Sequence, residues 1–294
     1  MNELLVVPNV SEGRDSAVTA RLATAFSAHA HLLDTHSDEF HNRTVFTLAP
    51  AGEAARVLID GAAAARDAIT MEGHEGMHPC VGALDVAPVV WLDPSARERA
   101  RTEALAAAAG IGALGIPVFF YGELATTEER RERAFFRRGG LAELRRRMGS
   151  GELTPDLGPA APHPSAGATL VTARPPLAAF NLELDGASVA ETQAIAASLR
   201  ESGGGLPGVR AIGLSLGGRT QVSTNVHDPI AVPLAQVAAR VAELAEVTGA
   251  RVAGAEIVGL VPRAALDGFP GELAMPEFDP ARSVIEDRLA ALPN

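Results

Sequence analysis

The stretch His74-Glu75-Gly76-Met77-His78-Pro79-Cys80-Val81-Gly82-Ala83-Leu84-Asp85 gathers two histidines, two carboxylates and the chain's single cysteine among glycines and prolines. Backbone punctuated in this way is held in turns, which present polar side chains instead of stacking them along a helix. His74-Glu75-Gly76-Met77-His78 satisfies H-E-x-x-H, in which two histidines on one helical face bind zinc and the glutamate serves as base. That chemistry needs uninterrupted helix, whereas Gly73 and Gly76 weaken one and Pro79 disfavours helical geometry at His78. The match is read as accidental, with a zinc hydrolase through His74, Glu75 and His78 kept as an alternative. Cys80 follows a proline in a valine-rich setting and reads as inert packing, not as a nucleophile.

A second polar cluster, His36-Ser37-Asp38-Glu39-Phe40-His41-Asn42-Arg43, falls between two strand-like runs, where binding groups collect. Asp38, Glu39 and His41 fit a solvated hairpin loop equally well. Arg43 opens an apolar strand and is placed either to meet a ligand carboxylate or to form a buried ion pair. Asn9-Val10-Ser11-Glu12-Gly13-Arg14 puts backbone N–H groups at a helix start, an anion site or simply a capped terminus.

The elements that must position these residues follow from periodicity. Strands are predicted near 4–10, 31–35, 43–48 and 82–92, with helices from about 14 to 29 and over 53–69, giving the order βαββαβ. A helix over 95–112, a strand over 116–121 and a charged helix or helix pair over 126–148 come next. Residues 151–176 hold six prolines and read as a structured loop or linker. Beyond it strands near 178–184, 209–216, 219–226 and 251–260 and helices near 188–202 and 233–248 repeat βαββαβ, before a short helix over 280–292. Two copies of this order imply an α+β fold of paired ferredoxin-like halves, each an antiparallel sheet with helices on one face.

Composition narrows the classes. With 294 residues, 47% of them apolar, the chain can bury a sizeable core, and one cysteine excludes an internal disulfide. A formal charge of −11 argues against a nucleic-acid surface, and the main basic run, residues 130–147, reads as a solvated helix face. No apolar run approaches the roughly 20 residues of a membrane span. Residues 1–5 lack a basic region ahead of an apolar core, so a cytoplasmic protein without membrane attachment is expected.

Several stretches together resemble the formiminotransferase domain family. They are Val7-Pro8-Asn9-Val10-Ser11-Glu12-Gly13-Arg14, Asn42-Arg43-Thr44-Val45, His78-Pro79 with Gly82-Ala83-Leu84-Asp85-Val86, Tyr121-Gly122-Glu123, Pro155-Asp156-Leu157-Gly158-Pro159, Gly167-Ala168, Ala173-Arg174, Ala179-Phe180-Asn181, Gln221-Val222-Ser223-Thr224-Asn225 and Val258-Gly259-Leu260-Val261-Pro262. The resemblance implies two ferredoxin-like subdomains, residues 1–176 with the proline-rich folate loop and 177–294 with a C-terminal arm, flanking a groove or tunnel in a homodimer. It implies transfer of a formimino group from N-formimino-L-glutamate to tetrahydrofolate in histidine breakdown, with no metal. It places the catalytic histidine at His78. Folate binding is expected along Gly158, Pro159, Ala160, Ala161, Pro162, His163, Pro164, Ser165, Ala166 and Gly167, with Asn9, Arg14, Arg43 and Asp85 as further substrate or folate contacts. The chain departs from the family at Met77 and Cys80, where Glu and Arg are usual, and at Ala166, where a family member carries tryptophan. A divergent member that binds folate or another anion without this turnover is the runner-up.

Overall fold

Proline has no N–H to give a sheet, and the first apolar run is accordingly divided around Pro8 into β1 (Leu4–Val6) and β2 (Asn9–Val10). The computed structural model describes residues 3–77, 79–276 and 278–293. The chain forms two units, Met1–Pro175 and Pro176–Asn294.

In the first unit α1 (Ser16–Phe26), β3 (Ala30–Asp38), β4 (Arg43–Pro50), α2 (Ala54–Ala68) and β5 (Leu84–Trp91) complete the expected βαββαβ order. β1 and β2 both lie between β4 and β5, pairing antiparallel with each, and β3 pairs with the other edge of β4. This is the fourth-first-third-second strand order of a ferredoxin-like unit. The sheet does not end there. β6 (Val118–Phe120) and β7 (Thr169–Arg174) extend it to seven strands, with β7 parallel to both β5 and β6. The expectations of a purely antiparallel sheet and of a strandless stretch over 151–176 are therefore corrected: the apolar Leu170, Val171 and Ala173 form a buried strand between two groups of prolines.

The helices are also distributed differently from expectation. α1, α2 and α3 (Arg97–Ala113) bury Leu22, Phe26, Leu58, Ala104 and Ile111 against one face of the sheet. A second cluster joins Val86 and Leu170 to Phe119, Phe136, Leu144 and Met148, so that α4 (Arg133–Arg137) and α5 (Gly140–Gly149) cover β5 and β7 on another side. All eight residues of β5 are buried in consequence. Gly139 and Gly140, at φ of +70° and +67°, divide what the sequence left as a helix or helix pair.

The second unit runs β8 (Ala178–Asp185), α6 (Val189–Leu199), β9 (Val209–Leu216), β10 (Arg219–Val226), α7 (Leu234–Glu246) and β11 (Arg251–Val258). Its four-stranded sheet has the order β11-β8-β10-β9, all antiparallel, which is the ferredoxin-like order again. Ser188 and Glu191 form a capping box at the start of α6, and Gly217-Gly218, both at positive φ, make the β9–β10 turn. The expected C-terminal helix is two short pieces, α8 (Pro280–Ser283) and α9 (Ile285–Ala290). Among the described residues no helix is long and apolar enough to cross a membrane.

Candidate active site

The polar turn identified in the sequence is fixed by close backbone contact with the end of the proline-rich loop. Ala83 N–H donates to Ala166 O at 2.9 Å, Ala168 N–H to Val81 O at 3.0 Å, and Met71 N–H to Ser165 O at 2.7 Å. A Cβ on Gly82 would lie 1.9 Å from Ala168 O, and one on Gly167, whose φ is +69°, would lie 2.2 Å from Val81 O. Only glycine permits this approach. Asp85, nearly inaccessible on β5, accepts the Val81 N–H at 2.7 Å with one carboxylate oxygen and a bond from Arg137 Nη2 with the other.

The two polar clusters meet through Asn42. This residue is buried at φ +48°, in the left-handed region that asparagine tolerates better than most. Its Oδ1 accepts Gly13 N–H at 3.0 Å, and its Nδ2 donates to Glu75 O at 2.9 Å. One amide thus ties the turn before α1, the β3–β4 loop and the histidine-glycine stretch together. Met77 N–H adds a bond to Phe40 O at 3.1 Å. Asn42→Ala is expected to lower stability by about 2–3 kcal/mol, from two lost hydrogen bonds and left-handed strain. Asn42→Gly is expected to recover part of that loss by removing the strain, and paired urea titrations of the two variants check this.

Val10, Ser11, His41, Asn42, Arg43, Cys80 and Asp85 line a small crevice at this meeting point. Arg43 and Asp85, both expected at the site, are brought together there. Burial first, then the neighbouring Arg137 and Arg133 charges, work against the Arg43 cation, while Asp85 supports it. Burial likewise depresses Arg133, which lies over the Tyr121 ring at 5.9 Å, and Arg174, where Tyr121 acts in the opposite sense. Arg137 Nε is buried and has no hydrogen-bond partner among the described residues. The result is a group of guanidinium cations in which Asp85 is the buried counter-ion of Arg43, Arg133 and Arg137, and Arg174 adjoins Arg133, an environment that an anionic ligand would relieve. Burial, then the Asp85 charge, raises the Cys80 thiol above its ordinary range, consistent with packing and not with a thiolate nucleophile.

Arg133 and Arg137 were not singled out from the sequence, and Arg174 entered only within the stretch Ala173-Arg174. The run 130–147 is a solvated face only in part, since Arg131, Arg138, Arg145 and Arg146 are exposed while other arginines turn inward. Arg137 and Arg147 are buried, Arg130 pairs with Asp156 at 3.0 Å, and Arg147 donates to Phe135 O at 2.7 Å. Phe135-Phe136 in the middle of the basic run was the available signal, because an aromatic pair demands burial of its neighbours.

Other expected contacts lie elsewhere. Asn9 is buried in β2, where its Nδ2 donates to Val7 O at 2.7 Å. Glu12 Oε1 accepts the Arg14 and Asp15 N–H groups, and Asp15 caps α1, so the capped-terminus reading accounts for that turn. Arg14 is exposed, with its Nε bonded to Glu39 O at 3.0 Å. His41, which lines the crevice, has its Nδ1 2.8 Å from Asp38. In the proline-rich loop residues 158–161 are exposed, whereas Ala166 packs into the core at 1% exposure. His163 and Gly167 exchange backbone bonds of 2.8 and 3.0 Å that close the loop. His78 lies outside the described residues. Residues 70–77 are not helical, so the helix required by H-E-x-x-H is missing at His74 and Glu75. Among the described residues no three His, Cys, Asp or Glu side chains form a metal-binding group.

Comparison with known proteins matches residues 4–174 to a family model described as the N-terminal subdomain of the formiminotransferase domain, and residues 179–268 to one described as the formiminotransferase domain. The chain is 36% identical to a glutamate formimidoyltransferase of Streptococcus pyogenes serotype M1, over 96% of this chain and 97% of that protein. It is 32% identical to a glutamate formimidoyltransferase of Thermoplasma acidophilum, over 88% of each. It is 36% identical to a formimidoyltransferase-cyclodeaminase of Sus scrofa over 88% of this chain but 50% of that protein, so it spans about half the length of that relative.

Proposed function

The chain belongs to the formiminotransferase family, and from that membership we propose that it transfers the formimino group of N-formimino-L-glutamate to tetrahydrofolate. A folate nitrogen attacks the formimino carbon, forming a new C–N bond and a tetrahedral intermediate. His78 takes the proton from the attacking nitrogen and returns it to the departing glutamate nitrogen as the old C–N bond breaks. The products are glutamate and 5-formiminotetrahydrofolate, and no net proton is consumed.

The observation that carries this reading is the concentration of Arg43, Arg133, Arg137 and Arg174 guanidinium groups near Asp85 and Tyr121, in a protein of net charge −11. Both proposed substrates carry glutamate carboxylates, and a local concentration of cations is what such ligands require. Arg43 is assigned to a substrate carboxylate and Asp85 to orienting the turn, with the exposed part of residues 158–167 against the folate. The N-terminal unit would thus supply the proton relay and the folate loop. The proposal extends to a cytoplasmic homodimer, for which the family resemblance is the support and light scattering the test.

Steady-state assay with the two named substrates tests the reaction. Formation of 5-formiminotetrahydrofolate is the expected result. Binding of tetrahydrofolate without product on addition of the donor would replace it with the noncatalytic reading. Metal analysis of the purified protein separates both from the zinc hydrolase.

A further inference from the structure

Successive side chains of a strand point to opposite faces of the sheet. In the second unit Phe180, Leu182 and Val222 enter the core with Ile195, Leu199, Val237 and Val241 of α6 and α7. The alternate residues Asn181, Gln221, Ser223 and Glu256 occupy the other face. Asn181 stands opposite Ser223 on one side and Glu256 on the other, and Gln221 is opposite Glu183, one strand pair further along. Polar side chains on the face away from the helices are ordinarily wet. Here Asn181 is 6% exposed and Gln221 only 3%. Asn181 Nδ2 donates to Glu256 Oε2 at 3.0 Å, which orients the carboxylate. Gln221 Oε1 is buried and has no hydrogen-bond partner among the described residues.

A buried acceptor with no donor is costly and calls for an explanation. A ligand that brings the missing donor supplies one. We propose that Gln221 and Glu256, the latter positioned by Asn181, form a subsite on the β8–β10–β11 face for a planar N–C–N group that carries N–H donors. The inference rests on the formiminotransferase reading, because that reaction brings two such groups. The formimino donor is an amidine, and the folate carries an aminopyrimidine edge. Each presents N–H groups on neighbouring nitrogens, suited to a carboxylate and an amide oxygen.

Calorimetric titration of the full-length protein with tetrahydrofolate and, separately, with formiminoglutamate tests the assignment in wild type, Gln221→Met and Glu256→Gln. Methionine keeps the volume of Gln221 and removes the stranded acceptor, so its melting temperature is expected to stay level or rise. Its affinity for one of the two ligands is expected to fall, by about 5–10-fold for the uncharged aminopyrimidine and by more than about 10-fold for the protonated amidine, with a larger fall for Glu256→Gln. Loss confined to tetrahydrofolate identifies the aminopyrimidine edge as the occupant; loss confined to formiminoglutamate identifies the amidine. Unchanged binding of both ligands by Gln221→Met overturns the subsite, as does weakened binding of both with a lowered melting temperature. A wild-type protein that binds neither ligand overturns the functional reading itself, a separate and recognisable result.

Discussion

Arg137→Met is expected to destabilise the first unit by about 3–5 kcal/mol, the cost of removing one partner from a buried ion pair. Arg137 and Asp85 have side-chain exposures of 8% and 3%, so solvent cannot take the place of the lost guanidinium. The carboxylate would still accept the Val81 N–H, but its second oxygen would lose its bond from Arg137. Trp91, the sole tryptophan and buried in β5, makes fluorescence a reporter of this unit in a urea titration. The same experiment on Asp85→Asn and on the double variant completes a thermodynamic cycle. The double variant is expected to be more stable than the sum of the single losses predicts, because Asp85→Asn removes the charge that Arg137→Met deprives of its partner. Strict additivity would mean that the pair contributes nothing as a pair.

That ion pair also shows where sequence reasoning reached its limit. Asp85 stood out in the sequence because it follows a turn rich in glycine and proline, and Arg43 because it opens an apolar strand; both line the crevice. Their meeting depends on a strand order that βαββαβ periodicity does suggest, and both units have it. Arg137 was hidden because charge runs are ordinarily solvated, and although Phe135-Phe136 beside it signals burial, nothing local says which arginine α4 turns inward toward β5. β7 was hidden for the opposite reason. Six prolines over 151–176 dominate the composition, while the strand within occupies the six residues of Thr169–Arg174. Its parallel pairing with β5 connects segments far apart in the chain, a relationship that no short window of sequence carries. Asn42 lies between these cases. The sequence marks it as a loop residue, and only the backbone at φ +48° with partners in two other loops makes it a structural centre.

His78→Ala is expected to reduce kcat by about 10²–10⁴-fold, the range that a positioned general acid–base supplies. KM for each substrate is expected to change little, because the imidazole works on the proton and the carboxylates are held by other groups. The expected pH dependence has a definite sign. Proton removal from the attacking nitrogen needs the neutral imidazole. Wild-type kcat should therefore fall on the acidic side as the imidazole is protonated, and this acidic limb should be absent from the residual activity of His78→Ala. His78→Gln retains hydrogen bonding but cannot shuttle a proton, so it should resemble alanine in rate. Melting temperatures of both variants separate chemistry from folding. A full transfer rate in His78→Ala would assign the proton relay elsewhere, whereas a lost rate with an unchanged acidic limb would leave His78 a positioning role and give the titration to another group.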